Sequence, residues 1–205
     1  MKSAFQKLDS KKSEKILTNL NASIAAGPFG FETTSIIARQ YSFYPGYTYI
    51  EIADHMSNPP REIHAVQNDE NGELTILDWT NKPIYDLNVS VPIELEDDNI
   101  RDYIRFFFAN TRGRHGQMKV IENVDDISWQ EEPPPAARKA VSKLIEPIRV
   151  LETSGNEPVQ AKVCFLHKDS IFKARVSIDA QGRVEISDED LTLEEIPVYD
   201  DVLGQ

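Results

Sequence analysis

The stretch from Asn99 to Asn110 restricts the fold of this chain more than any other. Ile100, Tyr103, Ile104, Phe106, Phe107 and Phe108 crowd into it. Wound into a helix of about 3.6 residues per turn, they cover well over half of its circumference. A helix that apolar has to be buried on more than one side, so the chain must supply covering surfaces. The expectation is that it packs on a first meander and on a second element. Asp98 or Asn99 suits the N-cap, and Glu94, Glu96, Asp97 and Asp98 put negative charge at the positive end of the helix dipole. The polar stripe that remains carries Arg101, Asp102 and Arg105.

The covering surfaces read as sheet. Before the helix, period-two segments at 47–54, 61–67 and 73–79 alternate with turn signals rich in Asn, Pro and Gly. Residues 84–95 read as a fourth strand, in which Pro92 argues for an edge position or a break. After the helix, strands are expected at 117–122, 148–152, 159–167, 171–179 and 183–187, with Ala180-Gln181-Gly182 as a hairpin loop. Connections this short join antiparallel neighbours. Flanking helices are expected at about 13–25, where Ile16, Leu17, Leu20 and Ile24 share a face, and at about 136–146, where Ala140, Val141, Leu144 and Ile145 follow Pro135. Residues 33–43 suit a strand or a helix. Residues 188–205 read as an acidic, partly ordered tail with Leu191, Leu193, Ile196 and Val198 able to dock.

The fold class is therefore α+β: two antiparallel β-meanders with a buried central helix at about 99–110 and two flanking helices. The chain has 205 residues, enough for one large domain or two small ones. The expectation is one domain over 1–205. Its variant is two subdomains, 1–124 and 136–199, joined by a linker at 125–135 that the run Pro133-Pro134-Pro135 makes stiff and extended.

Charge and cysteine narrow the function classes. The net charge is −12, made up of +3 over 1–50, −10 over 51–100, +2 over 101–150 and −7 over 151–205. Such a field disfavours nucleic acid and anionic membranes as partners. No apolar run approaches the length of a membrane span, and the N-terminal lysines are not followed by the apolar region of a secretory signal. A single cysteine, Cys164, rules out an intramolecular disulfide, so a reducing cytoplasm is the expected location.

The central helix runs into Arg112-Gly113-Arg114-His115-Gly116, the most basic short loop of the chain. Glycine lets backbone N–H groups turn toward a ligand, and arginine forks match phosphate or carboxylate. Arg105, Arg112, Arg114 and His115 are thus the candidate ligand-binding residues, for an anion. A structural explanation competes with this: Gly113 takes a left-handed cap and the cations offset the negative helix end.

Other constellations carry less. His55 and His64 flank the first hairpin near Glu51, Asp54 and Glu62, but they follow the alternation of a half-exposed strand rather than metal-ligand spacing. Cys164, between Val163 and Phe165, reads as a buried inert thiol. The aromatic run from Tyr41 to Tyr49 lacks interleaved cations and reads as core. No phosphate loop, dinucleotide fingerprint, nucleophile elbow, zinc motif or calcium loop occurs. No catalytic residue, cofactor or metal site is assigned, and whether the chain is an enzyme stays open. The leading expectation is a non-catalytic protein-interaction or accessory module whose partner is a protein with a basic surface. The alternative is a binding protein or enzyme for a small molecule or anion at the Arg112–His115 loop.

Overall fold

The computed structural model describes residues 4–25, 27–56, 58–113, 116–151 and 157–199. The chain divides into two compact units, one up to Glu94 and one from Leu95 onward.

The first unit is a five-stranded antiparallel sheet in sequence order: β1 (Gln6–Lys7), β2 (Thr34–Gln40), β3 (Tyr47–Asp54), β4 (Arg61–Asn68) and β5 (Leu74–Leu77). Helix α1 (Ser10–Ser23) closes one face. Its Ile16, Leu17 and Leu20 pack with Ile36, Ala38, Ile50, Ile52 and Ala65. The helix is capped by Asp9, whose side chain accepts from Lys12 N at 2.9 Å. That carboxylate offsets Lys11 and Lys12 at an end where cations are unfavourable. On the other face of β3, Tyr49 meets Tyr41 at 5.9 Å and His64 at 5.9 Å, and Tyr41 stacks on Phe43 at 4.7 Å. The aromatic run is core, as its lack of cations implied.

In this unit the structure settles one segment that the sequence leaves open and corrects another. Residues 34–40 are a strand. Residues 84–95 are not: helix α2 (Lys82–Ser90) occupies most of that segment. Pro83 stands in its first turn, where a missing N–H costs nothing. Ile84, Leu87 and Asn88, three and four residues apart, are its buried face. Asn88 is tied down by the Tyr44 hydroxyl, which donates to its Oδ1. The meander keeps four successive strands, β2 to β5, because β2 precedes β3.

The second unit holds α3 (Ile100–Ala109), β6 (Lys119–Val120), a 3₁₀ turn (Val124–Asp126), α4 (Pro135–Ser142), β7 (Arg149–Val150), β8 (Val159–His167), β9 (Ser170–Ile178) and β10 (Val184–Leu193). Its sheet runs β10-β9-β8-β6, with β7 also paired to β8. Helix α3 belongs here, and all six of its large apolar side chains are buried. Phe108 packs edge-on against Phe165 of β8 at 4.6 Å, and the Tyr103 hydroxyl donates to Gly182 O at 2.5 Å. Alternation along β8 turns Cys164 and Leu166 to the opposite face. There, with Ile171, they are covered by Ile121, Ile127, Val141, Ile145, Ile196 and Val198.

The expected helix at 136–146 is 135–142, and the strand expected to stop at Ser187 continues to Leu193. The proline-rich segment 125–135 lies within the second unit, where Trp129 bridges to Val198. Among the described residues no helix is long and apolar enough to cross a membrane.

Replacing Phe106 with Ala should lower stability by about 3–5 kcal/mol in urea titrations, since it empties a wholly buried site. Val89→Ala, on the exposed side of α2, should stay within about 0.5 kcal/mol of the parent.

Candidate functional site

The basic loop begins where α3 ends, and the end is sealed without it. Asn110 Nδ2 donates to Phe106 O at 2.8 Å, and the Thr111 hydroxyl donates to Phe107 O at 2.9 Å. Gln117 Nε2 reaches the carbonyls of Phe108 and Ala109, both at 3.3 Å. Polar side chains therefore satisfy the last turn. Gly113 does not take the left-handed cap; Asn110 is the C-cap, and the positive φ falls at Gly116. Gly113 and Gly116 instead exchange N–H···O=C hydrogen bonds of 3.0 and 3.1 Å. Arg114 and His115 lie outside the described residues.

Arg105 is held elsewhere. Its Nε and Nη2 donate to the two Glu122 oxygens at 2.6 and 3.0 Å, and its Nη1 donates to Asp102 at 2.6 Å. Glu122 also accepts from Ile148 N at 3.2 Å, so one bidentate pair fastens α3, β6 and the chain before β7. Burial pulls the Arg105 guanidinium down, but the two carboxylates outweigh it and hold it above its ordinary value. Of the four residues singled out in the sequence, Arg105 thus serves a carboxylate of its own chain, and Arg112 stands half-buried at the foot of the loop.

The remaining candidates separate. His55 Nε2 is 2.9 Å from the Ser35 hydroxyl, whereas His64 pairs with Glu51 in register, sits 3.1 Å from the Tyr49 hydroxyl and packs on Trp79. Among the described residues no group of three or more His, Cys, Asp or Glu side chains could hold a metal ion. Cys164 is buried and its Sγ accepts from Glu146 N at 3.4 Å. Burial pushes the thiol up, against a smaller opposing pull from that N–H. Such a thiol is a poor nucleophile.

The structure assembles a groove that the sequence did not reveal. Ser128–Gln130 runs beside Pro197–Tyr199: Gln130 N donates to Pro197 O at 2.9 Å and Tyr199 N to Ser128 O at 3.0 Å. Between them, α4 and the end of β10 lies a groove of about 750 Å³. Trp129, Pro133, Pro134, Pro197 and Tyr199 form apolar walls, and Glu131, Glu132, Glu194 and Glu195 add carboxylates. Glu132 is paired with Arg138 at 2.9 Å. The other three are exposed and carry no ion pair among the described residues. Tyr199 is 59% exposed, so its ring is open to a partner. The Trp129 Nε1 donor is buried and meets no acceptor among the described residues. The available signals were Trp129 inside a proline-rich run and the alternation of Ile196 and Val198 in the acidic tail. Neither segment names the other.

No family model, curated protein or solved structure matches the chain. The geometry alone therefore bears on function.

Glu122→Gln should destabilise the protein by about 2–3 kcal/mol in chemical denaturation, because it leaves a half-buried guanidinium short of its counter-charge. Iodoacetamide should leave Cys164 unmodified in the folded protein and alkylate it readily once urea unfolds the chain.

Proposed function

We propose that the protein is a non-catalytic interaction module whose groove at 129–134 and 193–199 docks a basic, extended segment of a protein partner. The observation that carries this reading is the pairing of apolar walls with unpaired carboxylates. Aromatic and proline surfaces take up extended peptide with little loss of rotamer freedom, and Tyr and Trp are favoured at interfaces. Glu131, Glu194 and Glu195 select lysine and arginine side chains and repel acidic ones. The net charge of −12 draws a basic partner in from a distance. The groove needs no ordering of its own, since Trp129 is held by Val198 and Gln130 Nε2 donates to Val198 O at 2.8 Å.

The alternative, an anion site at the Arg112–His115 loop, keeps Arg112 alone among the described residues, with Arg105 engaged by Asp102 and Glu122. Its support is that side chains other than the loop cations hydrogen-bond the last carbonyls of α3.

Fluorescence anisotropy with labelled Lys/Arg-Pro peptides should show saturable binding on the order of micromolar Kd that weakens as salt rises. The double variant Glu194→Gln/Glu195→Gln should weaken it roughly tenfold and flatten the salt dependence, and Tyr199→Ala should weaken it without changing that dependence. Preference for acidic peptides, or affinity indifferent to both variants, would overturn the reading.

A further inference from the structure

The second sheet carries a row of like charges. In register, Arg149 of β7 stands opposite Lys162 of β8, and Lys162 stands opposite Arg175 of β9. Directly opposed residues of antiparallel strands project from the same face. With neighbouring strands about 4.8 Å apart, three cations cross the sheet within about 10 Å. Like charges directly opposite each other destabilise a sheet. The row is the more unusual because residues 151–205 sum to −7.

The row borders a cavity of about 340 Å³. Lys162, Cys164, Lys173 and Arg175 line it, with Glu146 and Pro147 on one side and Asp188 and Asp190 on the other. Cys164 is the last residue of β8 on this face within the covered core, so Lys162 with Arg175 is the first open rung beyond it. Some of the cations are already positioned. Arg175 donates from Nε to Asp188 and from Nη1 to Gln160, both at 2.9 Å, and Lys173 is bound to Glu146 at 2.5 Å. Arg149 and Lys162 are exposed and make no ion pair among the described residues, although both add to the larger pull of Lys173 on the Glu146 carboxylate. Arg175 Nη2 likewise has no partner there.

We propose that this rung is a binding site for a small phosphate-bearing anion, with Lys162 supplying the neutralising charge in the cavity, Arg149 adding to it from the adjacent strand, Arg175 presenting its Nη2 edge and Lys173 completing the cavity. Several acceptor oxygens on a compact, multiply charged centre suit donors spread over three adjacent strands. Glu146 and Asp188 are already paired with Lys173 and Arg175, and the cavity of about 340 Å³ accommodates a small molecule. The site shares no residue with the groove at 129–134 and 193–199 and stands independently of it.

The test is calorimetric titration of the full chain with inorganic phosphate and with pyrophosphate at low ionic strength. Saturable one-to-one binding is expected, with pyrophosphate the tighter. It should fall roughly tenfold in Lys162→Gln and further in Arg149→Gln/Lys162→Gln. The double variant should melt no lower than the parent, because it relieves repulsion within the row, so lost binding is not lost folding. Lys168→Gln, an exposed lysine at the β8–β9 turn, should bind as the parent does. Absence of saturable binding at millimolar phosphate and pyrophosphate would overturn the proposal, as would equal loss in Lys168→Gln. So would sedimentation with phosphatidylserine vesicles in the absence of pyrophosphate binding, which would assign the cations to a lipid surface.

Discussion

Each sheet in this protein has two faces with apolar side chains, and each apolar face needs a cover. Most of the architecture follows from that requirement. In the first unit, α1 covers Ile36, Ile50 and Ile52, while the Tyr41–Tyr49 cluster buries the other side of β3. In the second, α3 brings its aromatic side chains to Phe165 and Gly182. The opposite face is closed by pieces from four places in the chain: the end of β6, the 3₁₀ turn, α4 and the residues after β10. Burying apolar area is worth about 25 cal/mol per Å², so a chain gains by recruiting short segments for this purpose.

A composite cover leaves seams and an edge. The seam between 128–130 and 197–199 becomes the groove, because two extended segments that pair through a few backbone hydrogen bonds cannot also fill the space beside α4. The edge of the cover, at Cys164, exposes the charged rung of Lys162 and Arg175. Both features arise from the geometry of covering a sheet, and both bring together residues far apart in sequence.

The Arg105–Glu122 pair shows how a surface-looking charge becomes structural. A guanidinium on the polar stripe of an apolar helix sits beside the sheet that the helix covers. There a bidentate carboxylate stabilises it more than solvent does at that depth. Helix capping works in the same way: Asn110, Thr111 and Gln117 satisfy the last carbonyls of α3.

What the sequence determined by itself was local. The helical period of Ile100 to Phe108, the alternation of the long strands and the turns at Gly72 and Gly182 are set by neighbours within a few residues, and the α+β class followed from them. The short helix α2 is concealed in the sequence because Pro92 and an apolar run resemble an edge strand, while the spacing of Ile84, Leu87 and Asn88 carries the helical signal. The order of the strands in each sheet, the partner of Arg105, the pairing of Trp129 with Val198 and the alignment of Arg149, Lys162 and Arg175 were decided only by tertiary structure. Register and long-range pairing depend on which apolar faces cover one another, and that choice is made by the whole chain at once rather than by any stretch of it.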